Sequence, residues 1–227
     1  MEFSFEIPMP HLKEYLSVSD FPFGLAHLML DTNFKHAGTY HSVMENCLLD
    51  NSMYELGDNP LSNAELIEAA KVCHPVSIIA PDWMDDMYKT VEAVHNLKPG
   101  YPTFVGGVVQ GKDLEERIEC FHILQDSGAR PICFPFRTPR AETIGHLHAA
   151  KAFKEGEWYH LLGLQQLWEL SWTFPGRWSM DTAKPFKGEK LSRNKLRGLG
   201  RLDLHKELTE HDRLIAHRNI AFLRKKR

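Results

Sequence analysis

The stretch Pro75-Val76-Ser77-Ile78-Ile79-Ala80-Pro81-Asp82 decides how the chain is read. It is a short apolar run that stops at a proline and a carboxylate, as a strand covered on both faces does. Residues 85–97 follow, with Met87, Val91 and Val94 on one helical face and Pro99-Gly100 as the stop. Then Thr103-Phe104-Val105-Gly106-Gly107-Val108-Val109 forms a second buried run, ending at Gln110-Gly111. Two doubly covered strands joined by an amphipathic helix define a parallel sheet with helical crossovers.

The same unit repeats in both directions. Residues 114–127 place Leu114, Ile118, Phe121 and Leu124 at helical spacing before Gly128, and residues 130–136 read as the next strand. A helix over 141–153, a strand over 158–164, a short helix over 167–172 and a strand over 177–180 complete that side. In the other direction, 63–73 predicts a helix with Ser62 or Asn63 as its cap and Glu65 in the first turn. Asn46-Cys47-Leu48-Leu49-Asp50-Asn51-Ser52 reads as a strand with a polar end, and 23–30 as a strand closed by Asp31-Thr32-Asn33. Residues 40–45 read as irregular, 1–20 as a strand and a short helix, and 205–223 as a long amphipathic helix. Seven or eight parallel strands fit an α/β fold of one domain over residues 1–227, a compact TIM-like (β/α)8 barrel. The length is short for eight units, which leaves room for an incomplete or irregular barrel.

Composition narrows the class. With 43% hydrophobic and 11% aromatic residues, the chain is long enough to bury a sizeable core. Its first residues carry no basic region or long apolar run, and no stretch reaches the ~20 apolar residues of a membrane span. A soluble, cytoplasmic protein without a membrane partner is the expectation. Cys47, Cys73, Cys120 and Cys133 are isolated from one another, and His36/His41 and His146/His148 lack a third ligand at metal spacing, so no metal is expected. Net charge is only −3, but residues 184–227 hold fourteen Lys and Arg against five Asp and Glu, a net of +9, leaving −12 for residues 1–183. Such a basic segment suits a phosphate backbone.

Carboxylates at the carboxyl ends of barrel strands are the usual catalytic groups of this fold. Asp181 follows an apolar residue and precedes a lysine and Pro185, which ends the strand there. Asp50, Asp82, Gln110-Gly111 and Gly163 stand at four other strand ends, so five polar ends face one mouth. An Asp can grip the N1 and N2 donors of a guanine-like base, and a glutamine amide can grip O6. A separate carboxylate can attack a sugar carbon, as in glycosidic-bond cleavage through a covalent intermediate. Trp83, Phe136 and Trp178 are aromatics in reach of stacking a base, core packing being the alternative for each.

Five motifs in order carry a family resemblance. Leu48-Leu49-Asp50-Asn51-Ser52 with Tyr54-Glu55, Ala80-Pro81-Asp82, Gly107-Val108-Val109-Gln110-Gly111, Leu162-Gly163-Leu164 and Ser179-Met180-Asp181 resemble the active-site strand ends of the tRNA-guanine transglycosylases. The match is most similar to the short DpdA-type branch, which exchanges guanine in DNA for a 7-deazaguanine. The resemblance implies Asp181 as nucleophile and Asp50 as general acid/base. It implies Asp82, Gln110, Gly111, Gly163 and Leu164 as base-binding residues, and no cofactor. The zinc site of the tRNA enzymes has no counterpart, which favours DNA over tRNA as the polymer partner. Asn51-Ser52 replaces the usual Ser-Gly-Gly. Arg177, Lys184, Lys187, Lys190, Arg193, Lys195, Arg197 and Arg201 flank the expected nucleophile and are the expected phosphate-binding residues. A simple N-glycosidase and a non-catalytic nucleic-acid-binding protein remain open at this point.

Overall fold

The computed structural model describes residues 1–57, 59–97, 99–100, 103–189, 191 and 202–226. Eight strands form one parallel sheet: β1 Glu2–Phe5, β2 Phe23–Leu25, β3 Leu48–Asp50, β4 Ser77–Ile79, β5 Phe104–Val108, β6 Ile132–Pro135, β7 Trp158–Leu162 and β8 Arg177–Thr182. Their spatial order is β1-β8-β7-β6-β5-β4-β3-β2, a sheet curled into a nearly closed, incomplete (β/α)8 barrel. Between and after the strands run α1 Leu12–Tyr15, α2 Ala26–Leu30, α3 Ala37–Val43, α4 Met53–Leu56, α5 Asn63–Cys73, α6 Met87–Asn96, α7 Leu114–Asp126, α8 Arg140–Ala149 and α9 Glu210–Arg224. The β7–β8 connection carries only a 3-10 turn, Leu167–Ser171, in place of a full helix.

No ladder joins β1 to β2, and side chains close the gap instead. The Phe3 amide donates to Asp20 Oδ2 at 2.8 Å and the Phe5 amide to Ser19 Oγ at 3.1 Å. The Asp20 amide returns a bond to the Phe3 carbonyl at 2.6 Å. The segment entering β2 thus satisfies an edge that would otherwise expose unpaired backbone groups.

Strand register sorts the side chains into two layers, because residues paired across a parallel ladder share a face. Ser4 pairs with Asp181 and His160 with Ser179. Phe23, from the opposite side of the barrel, stacks on His160 with ring centroids 5.8 Å apart, so these residues face the interior. The alternate residues Phe134, Tyr159 and Trp178 pack outward against Phe121 and Phe153. Trp178 is therefore a wall of the helix layer and does not stack in the mouth.

Helix starts are fixed by side-chain caps. Ser62 Oγ accepts the Glu65 amide while Glu65 accepts the Ser62 amide, and Asp86 and Asp113 accept the amides of Lys89 and Glu116. The helix over 63–73 was legible to the residue. Two expectations fail nearby. The apolar run 23–30 is a strand only over Phe23–Leu25 and then turns into α2, and residues 40–45 lie largely in α3. A short apolar run has no period that separates strand from buried helix; here α2 is held by packing on α3 and α5.

Candidate active site

The carboxyl ends of the strands gather five carboxyl groups at one mouth: Glu6, Asp50, Glu55, Asp82 and Asp181. Each of Glu6 and Asp50 is electrostatically raised by Asp181 and Glu55, and Asp50 also by Asp82, which places them in one field.

Asp181 is buried inside β8. Its Oδ1 accepts the Gly163 amide at 2.9 Å and faces His160 Nε2 at 3.1 Å. Gly163 has φ +67°, a left-handed turn that a glycine takes without strain, and that turn aims its N–H at the carboxylate. Beneath it runs a buried relay. Trp158 Nε1 donates to Ser179 Oγ at 2.6 Å, and Ser179 Oγ meets His160 Nδ1 at 2.8 Å. With Asp181 as acceptor, Nε2 is the donor toward it, and Ser179 Oγ, which accepts from Trp158, is placed to donate to Nδ1.

The loop after β7 is braced by a fully buried ion pair. Arg140 Nε and Nη2 donate to the two Glu169 oxygens at 2.8 and 2.7 Å. Arg140 also donates to the carbonyls of Phe134, Leu162 and Gly163, and Glu169 accepts the amides of Gln165 and Gln166. Every polar edge of the pair is used, which is the condition under which buried charges persist. Both backbone groups of Gly163 are thereby committed, and Leu164 is buried behind it.

Across the mouth, Asp82 is gripped by amides. Asn51 Nδ2 donates to Asp82 Oδ1 at 2.9 Å and to the Ala80 carbonyl at 2.7 Å, while Gln110 Nε2 donates to Asp82 Oδ2 at 2.6 Å. Burial raises the Asp82 carboxyl above its usual range, and these two amides partly offset that. Gln110 Oε1 is buried with no hydrogen-bond partner. One Nε2 hydrogen is committed to Asp82, and Oε1 stands as a buried acceptor beside it. Gly111 is held against the start of α7, where a Cβ would lie 2.8 Å from the Arg117 amide nitrogen.

Asp50 ends β3 and accepts the Ser52 amide at 2.8 Å. Burial, then Glu55, raise its carboxyl well above the usual range, against the single hydrogen bond that lowers it. Ser52 sits at φ +62°, a left-handed conformation rare outside glycine.

Glu6, one residue past β1, was not singled out in the sequence. Its amide donates to the Thr182 carbonyl at 3.2 Å, extending the β1–β8 pairing and putting its side chain on the inward face shared by Ser4 and Asp181. Burial first, then Asp181 and Glu55, push its carboxyl well above the usual range, with Lys187 pulling the other way. His160 was also missed as a site residue. A histidine and a serine at alternate positions of two otherwise apolar strands were the available signal, but only pairing of the strands joins them.

The described members of the expected phosphate-binding set, Arg177, Lys184 and Lys187, do not all stand together. Lys184 and Lys187 are half-buried in the wall of the site; burial, then Lys187, lowers Lys184 to about 8. Arg177 starts β8, at the opposite mouth, where it makes two bonds to Glu2 at 2.9 and 2.6 Å and lies over the Trp158 ring. Lys190, Arg193, Lys195, Arg197 and Arg201 lie outside the described residues. Asn219 of α9 ties the segment after β8 in place through the carbonyls of Pro185 and Glu189 and the amide of Leu191. Trp83 is half-buried under Lys89 Nζ, 4.2 Å from its ring centre. At the rim, Phe136 meets Tyr54 edge-on at 5.4 Å, with the Arg137 guanidinium 4.7 Å above the Tyr54 ring.

Among the described residues no group of three or more His, Cys, Asp or Glu is arranged to hold a metal ion, and no helix is long and apolar enough to cross a membrane. No protein-family model matches the chain, and no curated protein shows significant similarity to it.

Proposed function

We propose that this protein is a guanine transglycosylase acting on DNA, exchanging guanine for a 7-deazaguanine through a covalent bond between Asp181 and C1′ of the sugar. The observation that carries this reading is the pairing of two differently held carboxyls. Asp181 has the Gly163 N–H and His160 Nε2 on one oxygen and is held as a nucleophile, while burial raises the Asp50 carboxyl well above its usual range, as suits an acid. A nucleophile and an acid are the two groups a retaining glycosyl transfer needs.

The target nucleotide leaves its helix, since C1′ is out of reach within a stack. Asp181 attacks C1′ as the C1′–N9 bond breaks, and Asp50 gives its proton to the departing base. The incoming base loses its N9 proton to Asp50 and displaces Asp181, restoring the start. Asp82 and Gln110 Oε1 form an acceptor pair suited to the N1–H and N2–H edge of guanine-type bases. Ser52 in a left-handed conformation also supports the reading, because it occupies the place where the resembled motif has glycine. The basic segment 184–227 supplies charge for the polymer.

The test is mass spectrometry of nucleosides from DNA, and separately tRNA, incubated with the protein and each candidate 7-deazaguanine. Incorporation into DNA is the expected result. Guanine release without incorporation makes the protein an N-glycosidase, and incorporation only into tRNA moves the substrate. In parallel, Arg193→Ala/Lys195→Ala/Arg197→Ala should flatten the slope of log affinity against log salt by roughly two to three units, about equally for all sequences.

A further inference from the structure

We infer that Arg137, seated on Tyr54 and Phe136, and Lys89, seated on Trp83, are the phosphate-binding residues of the mouth, and that they hold a nucleic-acid strand by its backbone on either side of Gln110. Phe136 and Arg137 follow β6 directly, Tyr54 lies in α4 after β3, and Trp83 and Lys89 belong to the turn after β4 and the first turn of α6. All are therefore at the carboxyl ends of their strands. In the sheet β5 lies between β4 and β6, so the two cations flank the strand that delivers Gln110.

Both cations are exposed and both rest on rings. The Arg137 guanidinium lies 4.7 Å from the Tyr54 ring centre and 5.7 Å from that of Phe136, and Lys89 Nζ lies 4.2 Å from that of Trp83. Among the described residues neither makes an ion pair, although Arg137 stands at the edge of a mouth lined with carboxyl groups. The nearby Arg117 and Arg140 are by contrast closed on Glu142 and Glu169, at 3.1 and 2.7 Å. A ring holds a cation through its quadrupole and leaves the charge and the N–H donors unspent. The platform also abuts the nucleophile's own anchor. A Cβ at Gly163 would lie 3.4 Å from Phe136 Cδ1, and the Gly163 amide is the donor to Asp181 at 2.9 Å.

The choice of a nucleic-acid strand as the anion rests on the transglycosylase reading. A nucleotide whose sugar reaches Asp181 brings its flanking phosphates to a mouth whose carboxyl groups repel them. The other described cations of that region are poorly placed to answer. Lys184 and Lys187 are half-buried in the wall, Arg140 is fully buried on Glu169, and Arg177 is at the opposite mouth. Arg137 presents the planar fork that matches a phosphate, and Lys89 adds a point charge on the other flank. Contacts of this kind fix the position of the strand and read no sequence, which leaves recognition of the base to Asp82 and Gln110.

The test is binding of end-labelled single-stranded DNA, and of RNA of the same sequence, to the full chain by fluorescence anisotropy across a salt series. Arg137→Gln should flatten the slope of log affinity against log salt by about one unit, and Arg137→Gln/Lys89→Gln by about two. Melting temperature and the calorimetric affinity for free guanine should stay at the wild-type values, which separates a phosphate contact from a packing role. Arg137→Lys keeps the charge and should keep the slope. An unchanged slope in the double variant, or a wild-type protein that binds neither polymer, overturns the inference. Mass spectrometry of base exchange on the same samples keeps the two readings apart. A flattened slope in a protein that exchanges no base leaves these residues as the phosphate site and removes the reaction. Base exchange with an unchanged slope in the double variant keeps the reaction and removes Arg137 and Lys89 from it.

Discussion

The two sides of the barrel mouth hold their carboxylates in different ways. On the β1–β7–β8 side, Asp181 is fixed by a backbone amide, a histidine backed by Ser179 and Trp158, and a loop clamped by the Arg140–Glu169 pair. On the β3–β4–β5 side, Asp82 is fixed by two side-chain amides, and one of those, Gln110, keeps a buried acceptor with nothing to bind. A rigid network of backbone and buried side-chain donors suits a group that must hold one position within a fraction of an ångström during bond making. A network with one open acceptor suits recognition, because a ligand N–H completes it and a ligand without one leaves it orphaned.

Breaking the first side should have the largest effect. Asp181→Ala should abolish base exchange, a loss on the order of 10⁴-fold or more in rate, with the folded state intact by circular dichroism. Residual exchange near the wild-type rate would transfer the nucleophile role elsewhere in the mouth. Next is Arg140→Ala, which strands Glu169 without its partner in the interior. It should cost ~3–5 kcal/mol of folding stability in urea titration. An effect below about 1 kcal/mol would mean the clamp is not what holds the Gly163 turn.

On the second side, Asp82→Ala should weaken binding of a free guanine-type base by ~1–3 kcal/mol for each donor left unpaired, read by calorimetry. Affinity for the nucleic-acid polymer should be unchanged. Equal losses in both would erase the division between the two sides. The smallest effect concerns Lys184, which is lowered from the usual lysine value to about 8. Between about pH 8 and the ordinary lysine range the unfolded chain binds a proton the folded one does not, so this residue makes stability rise with pH across that window. Lys184→Met should therefore flatten that rise and stabilise the protein modestly at pH 7, as melting temperature against pH would show.

Much of this was legible in residues 75–111 alone. Apolar runs ending in Asp82 and Gln110, with a helix of one apolar face between them, are local patterns, and local patterns encode local structure. Capping residues such as Ser62 and Glu65 set a helix boundary for the same reason. The run 23–30 failed because a few consecutive apolar residues fit a strand and a buried helix equally well, and packing of α2 on its neighbours made the choice.

By itself, then, the sequence determined the alternating architecture and three strand-end carboxylates, since each rests on residues adjacent in the chain. Only the tertiary structure decided what holds those carboxylates. Ser4 and Asp181 are far apart in the chain and lie side by side because β1 pairs with β8. His160 reaches Asp181 because β7 and β8 are in register, and Arg140 reaches Glu169 across a turn of β6, α8 and β7. Curling the sheet turns alternate residues of distant strands into neighbours, and a one-residue slip would send each of them to the opposite face.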